Sequence, residues 1–220
     1  MHFICVHGVC HGGWCWDKTR IGLEALGHKV STPDLPLTSL SNDANAVRDI
    51  LDATTEPSVL VGHSYGGSVI SKAAADRKDV AHLVYVAAIM IGKEQVFTEV
   101  SEPYQSELGK SLVISDDNTF CVDRQGAIDA FYHCCDPKEA AEAAARLRAT
   151  SFDCVSVPSG AEPWNSIAST YVLCSQDKAI SAELQTLMSQ RAATTVTIDT
   201  DHSPFYSAPK ELEKALASCG

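Results

Sequence analysis

Ser58-Val59-Leu60-Val61-Gly62-His63-Ser64-Tyr65-Gly66-Gly67-Ser68-Val69-Ile70 is the stretch that decides the fold. Val59-Leu60-Val61 is an unbroken apolar run, as expected of a strand covered on both faces. From Ser64 to position 75 the apolar spacing becomes helical. Between strand and helix stands G-x-S-x-G. That turn is so tight that side chains at either flank would strike the strand or the helix, and it leaves the serine hydroxyl exposed. The hydroxyl then sits at the carboxyl end of a strand, where open α/β sheets place their ligands. A plainer reading exists: a Gly-rich turn that only holds an anion at a helix N-terminus. The rest of the chain separates the two.

Working outward, apolar strands are predicted over 3–6, 29–32, 58–61, 81–86, 169–174 and 194–198. Helices are predicted over 14–26, 42–54, 64–75, 181–190 and 208–218. In the second of these, Ala46, Val47, Ile50 and Leu51 share a face. Strands alternating with helices predict a mostly parallel sheet of about six strands with crossover helices. The alternation breaks between about 91 and 164. There Asp136 and Pro137 open a helix as cap and first-turn residue, 140–148 is Ala-rich and helical, and 126–133 gives another helix. The expectation is a small helical cap inserted after the fourth strand, in one domain spanning 1–220. No internal repeat or low-complexity tract interrupts it.

Composition narrows the partners. The chain is 45% hydrophobic, 20% charged and carries a formal net charge of −11. Such a surface opposes nucleic acid and anionic membranes, which demand Lys and Arg. No apolar run is long enough to span a bilayer. Met1–Val6 lacks the basic and small-residue pattern of a signal peptide. Nine cysteines, an odd number with no Cys-x-x-Cys pair, fit a reducing compartment better than a disulfide framework. A cytoplasmic location is therefore expected, and a homodimer is compatible with the chain.

A serine hydroxyl becomes nucleophilic only when a base takes its proton and a carboxylate holds that base. Their order in this kind of fold is serine, acid, histidine. Three of the eight histidines follow Ser64: His82 at a strand start, His133 in the cap, and His202 just after the last strand. His202 is the candidate base. Asp177, after the strand that ends at Cys174, is the candidate acid. Asp199 and Asp201 adjoin His202 but read as solvated loop carboxylates; Asp34 and Asp116 fall in turns with no histidine to serve. Two backbone amides must also face the oxygen that becomes negative. Tyr65, after the serine, supplies one. Val9, in His7-Gly8-Val9-Cys10-His11-Gly12-Gly13-Trp14, supplies the other. His7 and His11 read as loop-fixing residues, because the glycines oppose the helix that a His-x3-His metal pair needs. No metal or organic cofactor is expected. His11, Trp14, Phe120, Phe131 and Trp164 are candidates to bind substrate; Phe97, Tyr104, Tyr132 and Phe152 are further candidates to line the pocket.

Taken together, His7-Gly8-x-x-His11-Gly12-Gly13-Trp14-Cys15-Trp16, Gly62-His63-Ser64-Tyr65-Gly66-Gly67, Asp177-x-x-Ile180 and Asp201-His202-Ser203-Pro204 resemble the plant methylesterase and hydroxynitrile lyase family and its bacterial esterase relatives. The resemblance implies an α/β-hydrolase fold and a Ser64-His202-Asp177 triad. It also implies oxyanion amides at Val9 and Tyr65, and a pocket under the cap for small, largely apolar esters. The lyases of this family carry threonine where Gly8 stands and lysine where Ser203 stands. Both departures favour ester hydrolysis through an acyl-enzyme over cyanohydrin cleavage. A ligand receptor on the same scaffold, which would usually lose part of the triad, is the non-enzymatic alternative. Epoxide hydrolases and dehalogenases of this fold usually place Asp at the position of Ser64.

Overall fold

The computed structural model describes residues 1–104 and 106–220. β1 (His2–Val6) leads through the glycine-containing loop 7–12 and a 3₁₀ turn at Gly13–Trp16 into α1 (Asp17–Ala25). The helix starts three residues later than its apolar spacing suggested. Gly13 is pressed against the Thr32 carbonyl and its amide donates to Asp34 Oδ1 at 2.7 Å, so the chain first closes as a tighter turn. β2 (Lys29–Ser31), α2 (Leu40–Asp52), β3 (Ser58–His63), α3 (Gly66–Ala73) and β4 (Val80–Val86) follow. Ser39 caps α2 by accepting from the Asn42 amide, a side-chain acceptor for an otherwise orphan donor.

The segment after β4 holds α4 (Phe97–Ser101), β5 (Leu112–Ile114), β6 (Thr119–Val122), α5 (Arg124–Phe131), α6 (Pro137–Ala144) and β7 (Thr150–Ser151). The last third returns to alternation with β8 (Ser169–Cys174), α7 (Ala182–Ser189), β9 (Thr194–Ile198), α8 (Pro204–Ser207) and α9 (Pro209–Ala217).

The six long-range strands pair in the order β2-β1-β3-β4-β8-β9, every neighbour parallel. Register sets the site. Val6 pairs with Gly62, His63 with Val86, and Cys174 with Ile198, so the loops that follow β1, β3, β8 and β9 leave one edge together. Both faces are covered, as parallel sheets require. Phe3, Cys5, Val59, Val61, Val84, Val86 and Val172 pack with Trp16, Leu23, Phe205, Leu212 and Leu216. Ile4, Val6, Leu60, Leu83 and Tyr85 face the opposite way, into the core that holds Val47, Leu51, Val69, Ile70 and Leu184.

The insertion is not purely helical. β5, β6 and β7 form an antiparallel sheet in that order. Strands of two to four residues are too short for a period of two to register in sequence. In α6, Asp136 caps as expected, its carboxylate accepting from the Lys138 and Glu139 amides. The helix ends at Ala144 rather than 148. Arg148 is drawn off it: its guanidinium donates to Leu35 O at 2.6 Å and His11 O at 2.9 Å. No helix among the described residues is long and apolar enough to cross a membrane.

Candidate active site

Ser64 has φ +54°, a backbone conformation that side chains other than glycine's rarely adopt. The surroundings impose it. A Cβ at Gly62 would lie 2.5 Å from Gly66 O, and one at Gly66 would lie 2.6 Å from Val6 O. Strand and helix thus approach as closely as backbone allows. The turn is locked by Ser64 N donating to Val86 O and by Ser64 O accepting from the Gly67 and Ile89 amides. Tyr65 is tethered from below: its hydroxyl donates to Asp43 Oδ2 at 2.6 Å, both residues being buried. Burial is the main reason that the Asp43 carboxyl is held above the usual carboxylate range.

Asp177 and His202 arrive from the β8 and β9 loops and meet at 2.6 Å, His202 Nδ1 to Asp177 Oδ2, both buried. A carboxylate only accepts, so His202 donates from Nδ1 to Asp177. The other Asp177 oxygen accepts from the Ala179 and Ile180 amides at 2.7 and 2.9 Å. Phe131 from α5 stacks on the His202 ring, centroids 5.4 Å apart. His63, next to Ser64, donates from Nε2 to the His202 carbonyl at 2.8 Å, which joins the serine turn to the histidine loop. Burial holds His63 well below the usual histidine range, hence neutral. Among the described residues Ser64 Oγ has no hydrogen-bond partner; such contacts often tighten only around substrate.

The loop after β1 lies directly against the serine. A Cβ on Gly8 would sit 2.8 Å from Ser64 Cβ and 3.3 Å from its Oγ. His7 donates from Nδ1 to Gly8 O at 2.8 Å and accepts from Leu35 N at 3.0 Å. Gly8 O and Val9 N belong to one peptide plane, so His7 fixes the direction of the Val9 amide. His11 donates to Val9 O at 2.8 Å and accepts from Tyr132 OH at 2.7 Å. Burial lowers His7 to about 4 and His11 to about 3, so both act as neutral rings with one donor and one acceptor. Among the described residues neither Val9 N nor Tyr65 N donates to a chain acceptor.

A cavity of about 340 Å³ opens over Ser64, Val9 and Tyr65. Its wall is largely apolar: Ile89, Phe97, Tyr104, Leu108, Leu112, Phe120, Phe152, Val155, Ile180 and Leu184, with Glu102 its one charged lining residue among the described residues. Of the five expected substrate-binding residues, Phe120 is on this wall. His11, Trp14, Phe131 and Trp164 are not. His11 is spent inside the loop, and Phe131 lies against His202. Trp14 stacks on His11 beneath the Arg146 guanidinium. Trp164 packs edge-on against Tyr85. Of the further pocket candidates, Phe97, Tyr104 and Phe152 are on the wall and Tyr132 is not.

The sequence over residues 3–215 matches the family model described as Alpha/beta hydrolase family. The chain belongs to the alpha/beta hydrolase family. It is 28% identical to Methylesterase 2 of Arabidopsis thaliana, over 98% of this chain and 94% of that protein. It is 26% identical to Salicylic acid-binding protein 2 of Nicotiana tabacum, over 98% and 95%. Among solved structures, a pyrethroid hydrolase from Sphingobium faniae superposes with TM-score 0.89 at 23% identity, covering 99% of this chain and 96% of that one. Polyneuridine aldehyde esterase superposes with TM-score 0.85 at 22% identity, covering 99% and 98%.

Two residues of this hydrolase site escape the sequence reading. Asp201 is not solvated. It is fully buried, accepting from Ser203 N and Ser207 Oγ on one oxygen and from Cys134 N at 2.7 Å on the other. It thereby ties the insertion to the histidine loop. Gln185, fully buried in α7, donates to Asp177 Oδ2 at 2.8 Å. Its signal was available: a polar residue on the helix stripe set by Leu184 and Met188. Among the described residues no three His, Cys, Asp or Glu side chains converge as a metal-binding group.

Proposed function

We propose that this alpha/beta hydrolase cleaves small, largely apolar carboxylic esters through an acyl-enzyme on Ser64. The observation that carries the reading is the pair of undonated amides, Val9 and Tyr65, beside Ser64 on the floor of an apolar cavity. Such a pair stabilises a tetrahedral oxyanion, each donor being worth roughly 10²–10³ in rate. His202, with its Nδ1 proton held by Asp177, takes the Ser64 proton at Nε2 as Oγ attacks the ester carbonyl. The C–O bond to the alcohol breaks, and the imidazolium returns the proton to the departing alkoxide. Water then gives a proton to the same nitrogen and attacks the acyl carbonyl; the acyl–Oγ bond breaks, the imidazolium returns that proton to Ser64 Oγ, and the acid leaves. The apolar walls support small neutral acyl and alcohol groups. Relatives named as methylesterases and esterases support the same class. Gly8 and Ser203, the positions where the resembling lyases carry threonine and lysine, support hydrolysis over cyanohydrin cleavage.

Ser64→Ala is expected to abolish hydrolysis of short p-nitrophenyl esters while leaving the fold intact by circular dichroism. Retention of full activity contradicts the proposal.

A further inference from the structure

Asp177 receives four hydrogen bonds. Two come from the backbone amides of Ala179 and Ile180 and one from His202. The fourth comes from Gln185 Nε2, onto Oδ2, the oxygen that also holds His202 Nδ1. The Gln185 amide is fully used. Its Oε1 accepts from Cys174 N at 3.0 Å, and its Nε2 also donates to Ile180 O at 2.8 Å. Cys174 ends β8 and Ile180 lies beyond the acid, so one side chain braces both ends of the loop that carries Asp177. Gln185 does not line the cavity.

We infer that Gln185 is a positioning residue for the reaction: it fixes the Asp177 carboxylate and, by sharing Oδ2, moderates the grip of that oxygen on the His202 Nδ1 proton. The inference rests on the Ser64-His202-Asp177 reading above. Glutamine alone among residues of this length offers two donors and an acceptor. A merely structural brace would affect folding without altering how the base responds to pH. A positioning role alters that response, because an oxygen relieved of one donor holds the remaining proton more tightly and the imidazolium persists to higher pH.

The test is a pH series of kcat and KM on a p-nitrophenyl ester for Gln185→Met and Gln185→Glu, with Ser64→Ala alongside. Gln185→Met keeps the length and removes every donor. Its kcat is expected to fall about tenfold with KM within about twofold, and the acid limb of kcat/KM to move up by about half a pH unit. Gln185→Glu keeps the shape but can donate to Asp177 only while protonated. Its kcat/KM is expected to approach the parent's at low pH and to decline toward high pH, where two carboxylates face each other. A folded Gln185→Met protein with the parent's kcat and acid limb overturns the inference. If Gln185→Met does not fold, an unchanged alkaline profile in Gln185→Glu overturns it equally. Activity surviving in Ser64→Ala overturns the underlying reading instead.

Discussion

At the scale of residues, the site is held by places where no atom can be added. Gly8 bears most directly on the serine: a methyl there would meet Ser64 Cβ at 2.8 Å. Gly8→Ala must push the loop away from the serine and carry the Val9 amide with it. Displacements of about 1 Å at a reacting centre cost about 10²-fold. The variant is therefore expected to lose about 10²-fold in kcat with little change in thermal midpoint, measured by ester hydrolysis beside a melting curve. The positions of Ser64, Asp177 and His202 were legible because their order in the chain and their place after successive strands are set by the sheet. Gln185 was legible only as a polar residue on an apolar helix stripe, with nothing to name its partner, and Asp201 read as a solvated loop carboxylate. The cavity wall was least legible of all. Whether an aromatic faces Ser64 or the core depends on how the insertion folds back, and the sequence carries no pattern for that.

At the scale of elements, the sheet could be read and the insertion only partly. β3 announced itself by an apolar run and a glycine turn, and α6 by Asp136-Pro137. β5–β7 are too short to do either. Two polar links join the insertion to the sheet edge: Tyr132 OH to His11, which is buried, and Cys134 N to Asp201, which is half-buried. Tyr132→Phe leaves His11 Nε2 buried without a donor. Orphaning a buried polar atom costs about 1–3 kcal/mol. Urea denaturation is expected to show a loss of that size, and activity to fall as His11 loosens its hold on Val9 O. A variant as stable and as active as the parent contradicts this bracing role.

At the scale of the whole molecule, three neutral histidines, His7, His11 and His63, sit in the loop after β1 and beside Ser64, and two have values within reach of titration. His7 is lowered to about 4 and His11 to about 3, burial being the first cause in each. An unfolded histidine takes up its proton near 6.5. Between that value and the folded one, the unfolded chain binds more protons, so stability falls as pH falls. The stability these rings contribute is fully present above about 6.5 and is lost progressively down to about 4 for His7 and 3 for His11. For His7 alone the linkage amounts to about 3 kcal/mol. Unfolding free energy measured in urea is expected to be lower at pH 4.5 than at pH 7 by a few kcal/mol. His11→Gln, which does not titrate, is expected to flatten part of that slope. An identical slope in the variant contradicts the assignment to His11.

The central claim is that Ser64 is a nucleophile activated by His202. Its most direct test is covalent. The protein is treated with a fluorophosphonate, and the labelled peptide is located by mass spectrometry, in the parent and in His202→Ala. One phosphonyl group per chain on the peptide containing Ser64, formed at a greatly reduced rate in His202→Ala, is the predicted result. Absence of label from Ser64, or labelling of Ser64 at an equal rate without His202, would contradict it.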